Sequence, residues 1–273
     1  MFPFNKANLI EKEGILFNKK TGEISYPLDG NNACFNIEDE SWWFKHRNNC
    51  IINLAKKYVK DNLILDIGGG NGYVSKGLQD NGIQSCLIEP GVQGCLNAKK
   101  RGLTDIVCSD FENLDLDDNS VSAVGIFDVI EHIEDDLTFL KKINKILIEN
   151  GNLILTVPAY KILWSNEDSE AGHYRRYTIK ELKNKLNESG FKIVYSTYIF
   201  SYLILPIFLF RTIPSILKIK KNALKQAKKE HSVNEKSITN KLLNILLNNE
   251  ITKINKNKTI PFGGSCLIAA IKV

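Results

Sequence analysis

His132 closes the run Phe127-Asp-Val-Ile-Glu-His. A histidine just past an apolar strand can take a proton from a hydroxyl, an amine or an acidic carbon near neutral pH. The same residue also suits a backbone-bonded imidazole that orients a loop. Asp128, at the same strand end, could reach a cofactor or close a turn. Glu131, Glu134, Asp135 and Asp136 crowd a helix start, where the helix dipole accounts for acids, so no metal site is expected. A second cluster comprises Tyr160, Trp164, Asp168 and the stretch Gly172-His173-Tyr-Arg-Arg176-Tyr177-Thr178. Its arginines offer forked donors and its rings offer faces for a carboxylate, a phosphate or a sugar. Arg175 and Arg176 can equally pair with Glu167, Asp168 or Glu170 and fix a loop; we expect one arginine to be structural and one to face substrate. Trp42, Trp43, His46 and Arg47 form a third group, able to close over a pocket or to anchor a helix by packing.

These side chains need a scaffold, and the run Leu63-Ile-Leu-Asp-Ile-Gly-Gly-Gly-Asn-Gly72 supplies its centre. A short apolar strand carrying Asp66 passes into Gly68, Gly70 and Gly72, which let the backbone fold tightly around a ligand. A dinucleotide fingerprint beginning at Gly68 needs its third glycine where Tyr73 stands, which argues against a nicotinamide oxidoreductase. A second strand, 84–88, ends in Glu89, placed to accept ribose hydroxyls. A third, 105–107, leads to Asp110 and Phe111, suited to an adenine amino group and to stacking on its ring. Ligands of open α/β sheets sit outside the carboxyl ends of the strands, where Asp66, Glu89 and Asp110 would converge. Taken singly, each acid also fits a cap or a turn. Further strands are expected at 121–127, 152–157, from Phe191, and 265–273. Helices are expected at 48–60, 73–81, 135–148 (stopped by Asn150-Gly151), 179–189 and 202–217.

Together these motifs resemble those of bacterial class I S-adenosylmethionine-dependent methyltransferases, in the subgroup combining W-W-F-x-x-R, D-x-G-x-G-x-G, F-D-V-[LI]-E-H and G-H-x-R-R-Y-T. Here they are Trp42-Trp43-Phe44 with Arg47, Asp66 to Gly72, Phe127 to His132, and Gly172 to Thr178. The resemblance runs from Trp42 to the C-terminus. It implies an α/β Rossmann-like sheet of seven strands in the order 3-2-1-4-5-7-6, helices on both faces and the last strand antiparallel. It also implies S-adenosylmethionine as cofactor, with Asp66 and the glycine turn holding its methionine end. Cofactor contacts are then expected from Asp66, Gly68, Gly70, Gly72, Glu89, Asp110, Phe111 and Asp128. Acceptor contacts are expected from Trp43, Arg47, Tyr160, His173, Arg176 and Tyr177, with His132 as base. The chain departs from many relatives at Ser122-Ala123, where they carry an aspartate. A cofactor-binding protein without transfer activity would share every one of these motifs.

A length of 273 residues, 43% hydrophobic and 25% charged, suits one α/β domain with additions. We divide it into an N-terminal extension or lid, 1–47, and a catalytic domain, 48–273, containing a helical insertion at 202–260. Six cysteines without a C-x-x-C pair, and no signal peptide before them, read as reduced cytosolic thiols. Eleven lysines against three glutamates between Lys218 and Lys258 concentrate the positive charge. The patch lacks interleaved aromatics and arginines, so nucleic acid is not expected as a partner. The stretch 193–210 carries no charge but is interrupted by Pro206, leaving too few residues for a spanning helix. Its second half is read as a helix packed on the core or, with the lysines that follow, one lying on an anionic membrane surface through 202–229. A cytoplasmic protein fits both readings, and a membrane-peripheral one fits the second. A small molecule, a saccharide or a lipid-linked precursor all fit as acceptor.

Overall fold

In a computed structural model the described residues are 8–19, 30–59, 63–219 and 238–273. Strands β1 (Leu9–Lys12), β2 (Ile15–Asn18), β3 (Leu63–Ile67), β4 (Gln84–Glu89), β5 (Ile106–Cys108), β6 (Val121–Phe127), β7 (Leu147–Pro158), β8 (Phe191–Ile199) and β9 (Ser265–Lys272) form one sheet. Its order is β1-β2-β5-β4-β3-β6-β7-β9-β8. Strands β5, β4, β3, β6 and β7 are parallel, and β9 runs antiparallel between β7 and β8. Among the described residues the expected seven strands are therefore nine. The two extra ones form the hairpin β1–β2, which adds to the edge at β5 through Leu16 and Phe17. Part of the expected lid is thus sheet.

Side chains alternate along each central strand and feed two cores. Leu65, Ile126, Leu155 and Ile268 pack with Phe139, Leu140 and Ile143 of helix α5 (Asp136–Ile146) and with Leu182 and Leu186 of α7 (Ile179–Glu188). On the other face Ile64, Ile154 and Leu267 pack with α2 (Trp42–Tyr58), α3 (Tyr73–Asp80) and a C-terminal helix, α10 (Ile238–Asn255). Helix α4 (Val92–Lys100) covers Leu87 and Ile106 and meets Ile15 of β2. Helix α7 starts where the sequence places it, through a capping box between Thr178 and Glu181.

Asn150-Gly151 does not stop α5, which ends at Ile146. The pair lies inside β7, where Asn150 adopts φ 59° and the register against β6 shifts between Val121 and Ala123. A bulge uses the same left-handed residue types as a helix end, so the sequence signal is shared. Ser122, at the departure from the family pattern, contacts the Leu63 carbonyl at 3.4 Å.

The apolar segment after β8 forms α8 (Ile204–Ile207), a π-turn Phe208–Thr212 and α9 (Ile213–Ile216). Leu203 and Ile207 are buried, whereas Leu205, Phe210, Ile216 and Leu217 are exposed. No helix among the described residues is long and apolar enough to cross a membrane. The part of the lysine-rich stretch between 220 and 237 lies outside the described residues. Glu250 ties α10 to the body. Fully buried, it meets His46 Nε2 at 2.9 Å and accepts hydrogen bonds from the Phe200 and Ser201 amides at 2.8 and 2.7 Å.

Candidate functional site

A cavity of about 770 Å³ opens at one end of the sheet. Its wall contains the last residues of β3, β4, β6 and β7 (Ile67, Glu89, Phe127 and Pro158), together with Ser109 just beyond β5. Helix α1 (Gly30–Glu38) contributes Asn31, Cys34, Ile37 and Glu38, and the first turns of α2 contribute Trp43, Phe44 and Arg47.

The glycine turn forms one side. Gly70 takes φ 56° and its amide donates to Glu89 Oε2 at 2.9 Å, while the Gly91 amide donates to Oε1 at 2.8 Å. A Cβ at Gly70 would meet nothing within 4 Å, so this turn faces open cavity. Gly72 has φ 72° for a different reason. A Cβ there would stand 2.4 Å from Leu103 and 2.9 Å from Ala98, so it serves packing between the turn and α4. Beneath the turn Asp66 is fully buried and accepts from Ser75 Oγ at 2.7 Å through Oδ2, while Oδ1 has no partner among the described residues. Burial pushes the Asp66 carboxyl up to about 6, against which the Ser75 hydrogen bond and the Arg47 charge act. Burial likewise pushes Glu89 up to about 7. Two carboxyls reluctant to ionise in the free protein therefore adjoin one glycine turn.

The second end of the site begins where β6 stops. Asp128, at φ 58°, is ion-paired with Arg47 and accepts from Thr156 Oγ1 at 3.0 Å. Beyond it a 3-10 turn, Ile130–His132, carries Glu131 and His132 into the cavity wall. Glu131 is fully buried, and neither carboxylate oxygen is hydrogen-bonded to a described residue; burial, then the nearby charge of Asp128, raise its pKa well above the carboxylate range. Burial and then His173 hold the His132 imidazole down at about 4, so it is neutral at pH 7. The rings of His132 and His173 meet edge to face, centroids 4.6 Å apart. His173 Nδ1 lies 2.9 Å from Asp168 Oδ1, and Arg176 grips the same carboxylate through Nε at 2.7 Å and Nη2 at 2.9 Å. Burial acts to raise the Asp168 pKa, but the hydrogen bonds from His173 and Arg176 hold it at about 2.

Of the residues singled out in the sequence, Asp66, Gly68, Gly70, Glu89, Asp110, Phe111, Asp128, His132, Trp43, Arg47, His173 and Arg176 all line this cavity. Asp110 also closes its own turn by accepting from the Asn113 amide at 2.7 Å. Of the expected cofactor and acceptor contacts, Gly72, Tyr160 and Tyr177 do not reach the wall, and neither do Trp42, His46, Trp164 and Arg175. Tyr160 stacks on Tyr198 at 5.1 Å. The Tyr177 hydroxyl, buried, donates to Asp136 Oδ2 at 2.7 Å, an aromatic body with its polar tip satisfied. His46 packs under Glu250, away from the wall. The α1 residues were not singled out in the sequence. They are held by polar links between distant segments: Asn71 Nδ2 donates to the Asn31 carbonyl at 2.8 Å, and Arg101 Nη2 to Glu38 at 2.7 Å.

A parallel-centred sheet in this order, with a glycine turn after its central strand and a cavity at the strand ends, is the fold of the class I S-adenosylmethionine-dependent methyltransferases. The chain belongs to the methyltransferase-domain family, whose model matches residues 49–196, more than half of its length. A probable S-adenosylmethionine-dependent methyltransferase of Mycolicibacterium smegmatis is 24% identical over 170 residues, 61% of this chain and 66% of that protein. One of Mycobacterium tuberculosis is 23% identical over 167 residues, 60% and 61% of the two chains. The matches thus span just under two thirds of these curated relatives. Among solved structures, phosphoethanolamine N-methyltransferase 2 of Haemonchus contortus in complex with S-adenosyl-L-methionine superposes with TM-score 0.54 at 16% identity, covering 94% of this chain and 61% of that one. A SAM-dependent methyltransferase of Thermotoga maritima gives 0.51 at 18%, covering 90% and 100%. At such identities the likeness is one of fold.

Proposed function

We propose that the chain transfers a methyl group from S-adenosylmethionine to a small-molecule, saccharide or lipid-linked acceptor. The observation that carries this is the buried, partnerless Oδ1 of Asp66 beside a glycine turn that faces open cavity, with Glu89 closing the same turn. Such a site fits a ligand that brings an ammonium group and ribose hydroxyls, because those donors satisfy the buried Asp66 oxygen and the second lone pairs of the Glu89 oxygens that the Gly70 and Gly91 amides already hold. S-adenosylmethionine, when bound, supplies an electrophilic methyl on a positively charged sulfur.

The protein's own work is positioning. Asp66 and the turn would hold the methionine end, Glu89 the ribose, and Phe111 with Asp110 the adenine side. Phe111, buried and braced edge to face by Phe139 at 5.3 Å, gives that side a fixed face. Holding donor and acceptor at attack distance supplies most of the rate in such a transfer, since the sulfonium loses charge as it reacts. His132, neutral at pH 7, would receive the acceptor's proton. Trp43, Arg47, His173 and Arg176 would shape the acceptor end, with Arg176 fixing the loop through Asp168. Tyr160 and Tyr177 take no direct part in this reading, and Gly72 serves packing.

Among acceptors, a lipid-linked one is favoured by the exposed Leu205, Phe210, Ile216 and Leu217 on the segment whose Arg211 lines the cavity. In this reading 48–273 is the catalytic domain, with 202–260 an insertion within it and 1–47 an N-terminal extension or lid. Incubation with methyl-labelled S-adenosylmethionine and fractionated cell extract tests the activity: label should enter a product, and should fail to do so with His132→Ala. Binding of the cofactor with no labelled product from any fraction would favour a binding protein without transfer activity. Flotation with anionic liposomes at low salt tests the membrane contact; protein left at the bottom of the gradient would count against it.

A further inference from the structure

We propose that Glu131, His132 and His173 hold a divalent cation of the zinc type, and that an acceptor oxygen completes its coordination. Each of the three side chains offers one ligand atom, and these atoms lie within 4.8 Å of one another. Ligand atoms on one tetrahedral zinc stand about 3.4 Å apart, given bonds of about 2.0–2.2 Å, so capture of an ion draws them in by about 1.4 Å at most. All three residues line the cavity.

Two further observations point to a cation. Glu131 is fully buried, yet both carboxylate oxygens lack a hydrogen-bond partner among the described residues. A carboxylate taken out of water without a partner is strongly disfavoured, and a bound cation offsets that cost. The second is the support behind His173. Its Nδ1 sits 2.9 Å from Asp168 Oδ1, which leaves Nε2 as the lone-pair nitrogen. Asp168 is itself fixed by Arg176 and by the Ser165 amide at 2.9 Å. A carboxylate bonded to the remote nitrogen of a histidine is the usual outer shell of a metal ligand, because it sets the tautomer and ring orientation. The Tyr174 amide donates to the Glu131 carbonyl at 2.7 Å, pinning the two ligand-bearing segments together.

Three protein ligands with an open position are the pattern of a catalytic zinc. This rests on the methyl-transfer reading above. An acceptor hydroxyl bound at the open position would lose its proton to solvent. Its oxygen would then form the C–O bond as the C–S bond breaks, the electron pair of that bond staying on sulfur. His132 would act as a ligand, and the ion would acidify the hydroxyl in place of a base.

The test is calorimetric titration of the full chain with Zn²⁺ after EDTA treatment, Co²⁺ absorption in the visible as a second probe, and S-adenosylhomocysteine titrated into the same preparations. The expected result is one ion per chain, a loss of affinity of about a hundredfold or more in Glu131→Gln or His173→Gln, and about 10–100-fold in Asp168→Asn. Glu131→Gln preserves side-chain shape and places a neutral group where burial already disfavours the charged one, so it is expected to fold, which near-ultraviolet circular dichroism checks. Absence of stoichiometric zinc, or equal uptake by the Glu131→Gln/His173→Gln double variant, overturns the metal site while S-adenosylhomocysteine still binds. Zinc bound without S-adenosylhomocysteine overturns the cofactor reading instead.

Discussion

Asp66→Asn should make the free protein more stable while weakening cofactor binding. Burial raises the Asp66 carboxyl from 3.8 to about 6. A folded pKa above the unfolded one gives stability that is present at low pH and lost as pH rises from about 4 through 6. At pH 7.5 the ionised carboxylate therefore costs the folded state about 3 kcal/mol, at about 1.4 kcal/mol per pKa unit. Asparagine removes that charge and keeps an acceptor for Ser75 Oγ. Its amide nitrogen, placed where Oδ1 has no partner, costs about 1–2 kcal/mol. The net gain is about 1–2 kcal/mol, or about 2–8 °C in Tm for a chain of this size. Affinity for S-adenosylhomocysteine should fall about 10–150-fold, the loss expected when hydrogen bonds worth about 1.5–3 kcal/mol lose their charged partner. Thermal unfolding from pH 4 to 8, with parallel calorimetry, measures both. A variant that is less stable than wild type at pH 7.5, or binds as tightly, would refute the reasoning.

Three other outcomes follow from the geometry. Gly72→Ala should destabilise the chain by more than the about 1–2 kcal/mol of a left-handed alanine, because its Cβ collides with Leu103 and Ala98. Gly70→Ala should cost only the conformational part and act mainly on ligand affinity; denaturant melts and calorimetry of both variants separate the two. Glu89, raised to about 7, destabilises the free protein as pH climbs from about 4.5 through 7. A ligand that donates hydrogen bonds to its carboxylate should therefore release protons on binding at pH 6–7, seen as a dependence of binding enthalpy on buffer ionisation heat. Glu250→Ala strips His46 and the Phe200 and Ser201 amides of their buried acceptor. It should cost about 3–5 kcal/mol in denaturant unfolding.

The positions of the seven central strands were legible as short apolar runs, whereas their order, which the sheet shares, came from the resemblance to the methyltransferases and not from the runs themselves. The hairpin 9–18 was not, since two four-residue strands at an edge carry little periodicity, and their pairing with β5 is settled nearly a hundred residues away. Asn150-Gly151 misled because a bulge and a helix end draw on the same left-handed residues. In the site, the acids and histidines at strand ends were found from their positions after apolar runs. Tyr177 was grouped with His173 and Arg176 by adjacency, but successive residues of an extended segment point to opposite sides and it turns into packing; Tyr160, at φ 56° beyond β7, stacks on Tyr198 instead. The α1 contribution had no local signal, because Asn31 and Glu38 are held by Asn71 and Arg101 across long stretches of chain.

The most direct test of the central claim is calorimetric titration of the purified protein with S-adenosylhomocysteine, with NAD in a parallel cell. The account predicts that S-adenosylhomocysteine binds at one site per chain, that binding is lost in Asp66→Ala and Glu89→Ala, and that NAD does not bind. Binding of neither ligand by folded protein, or of NAD alone, would contradict it.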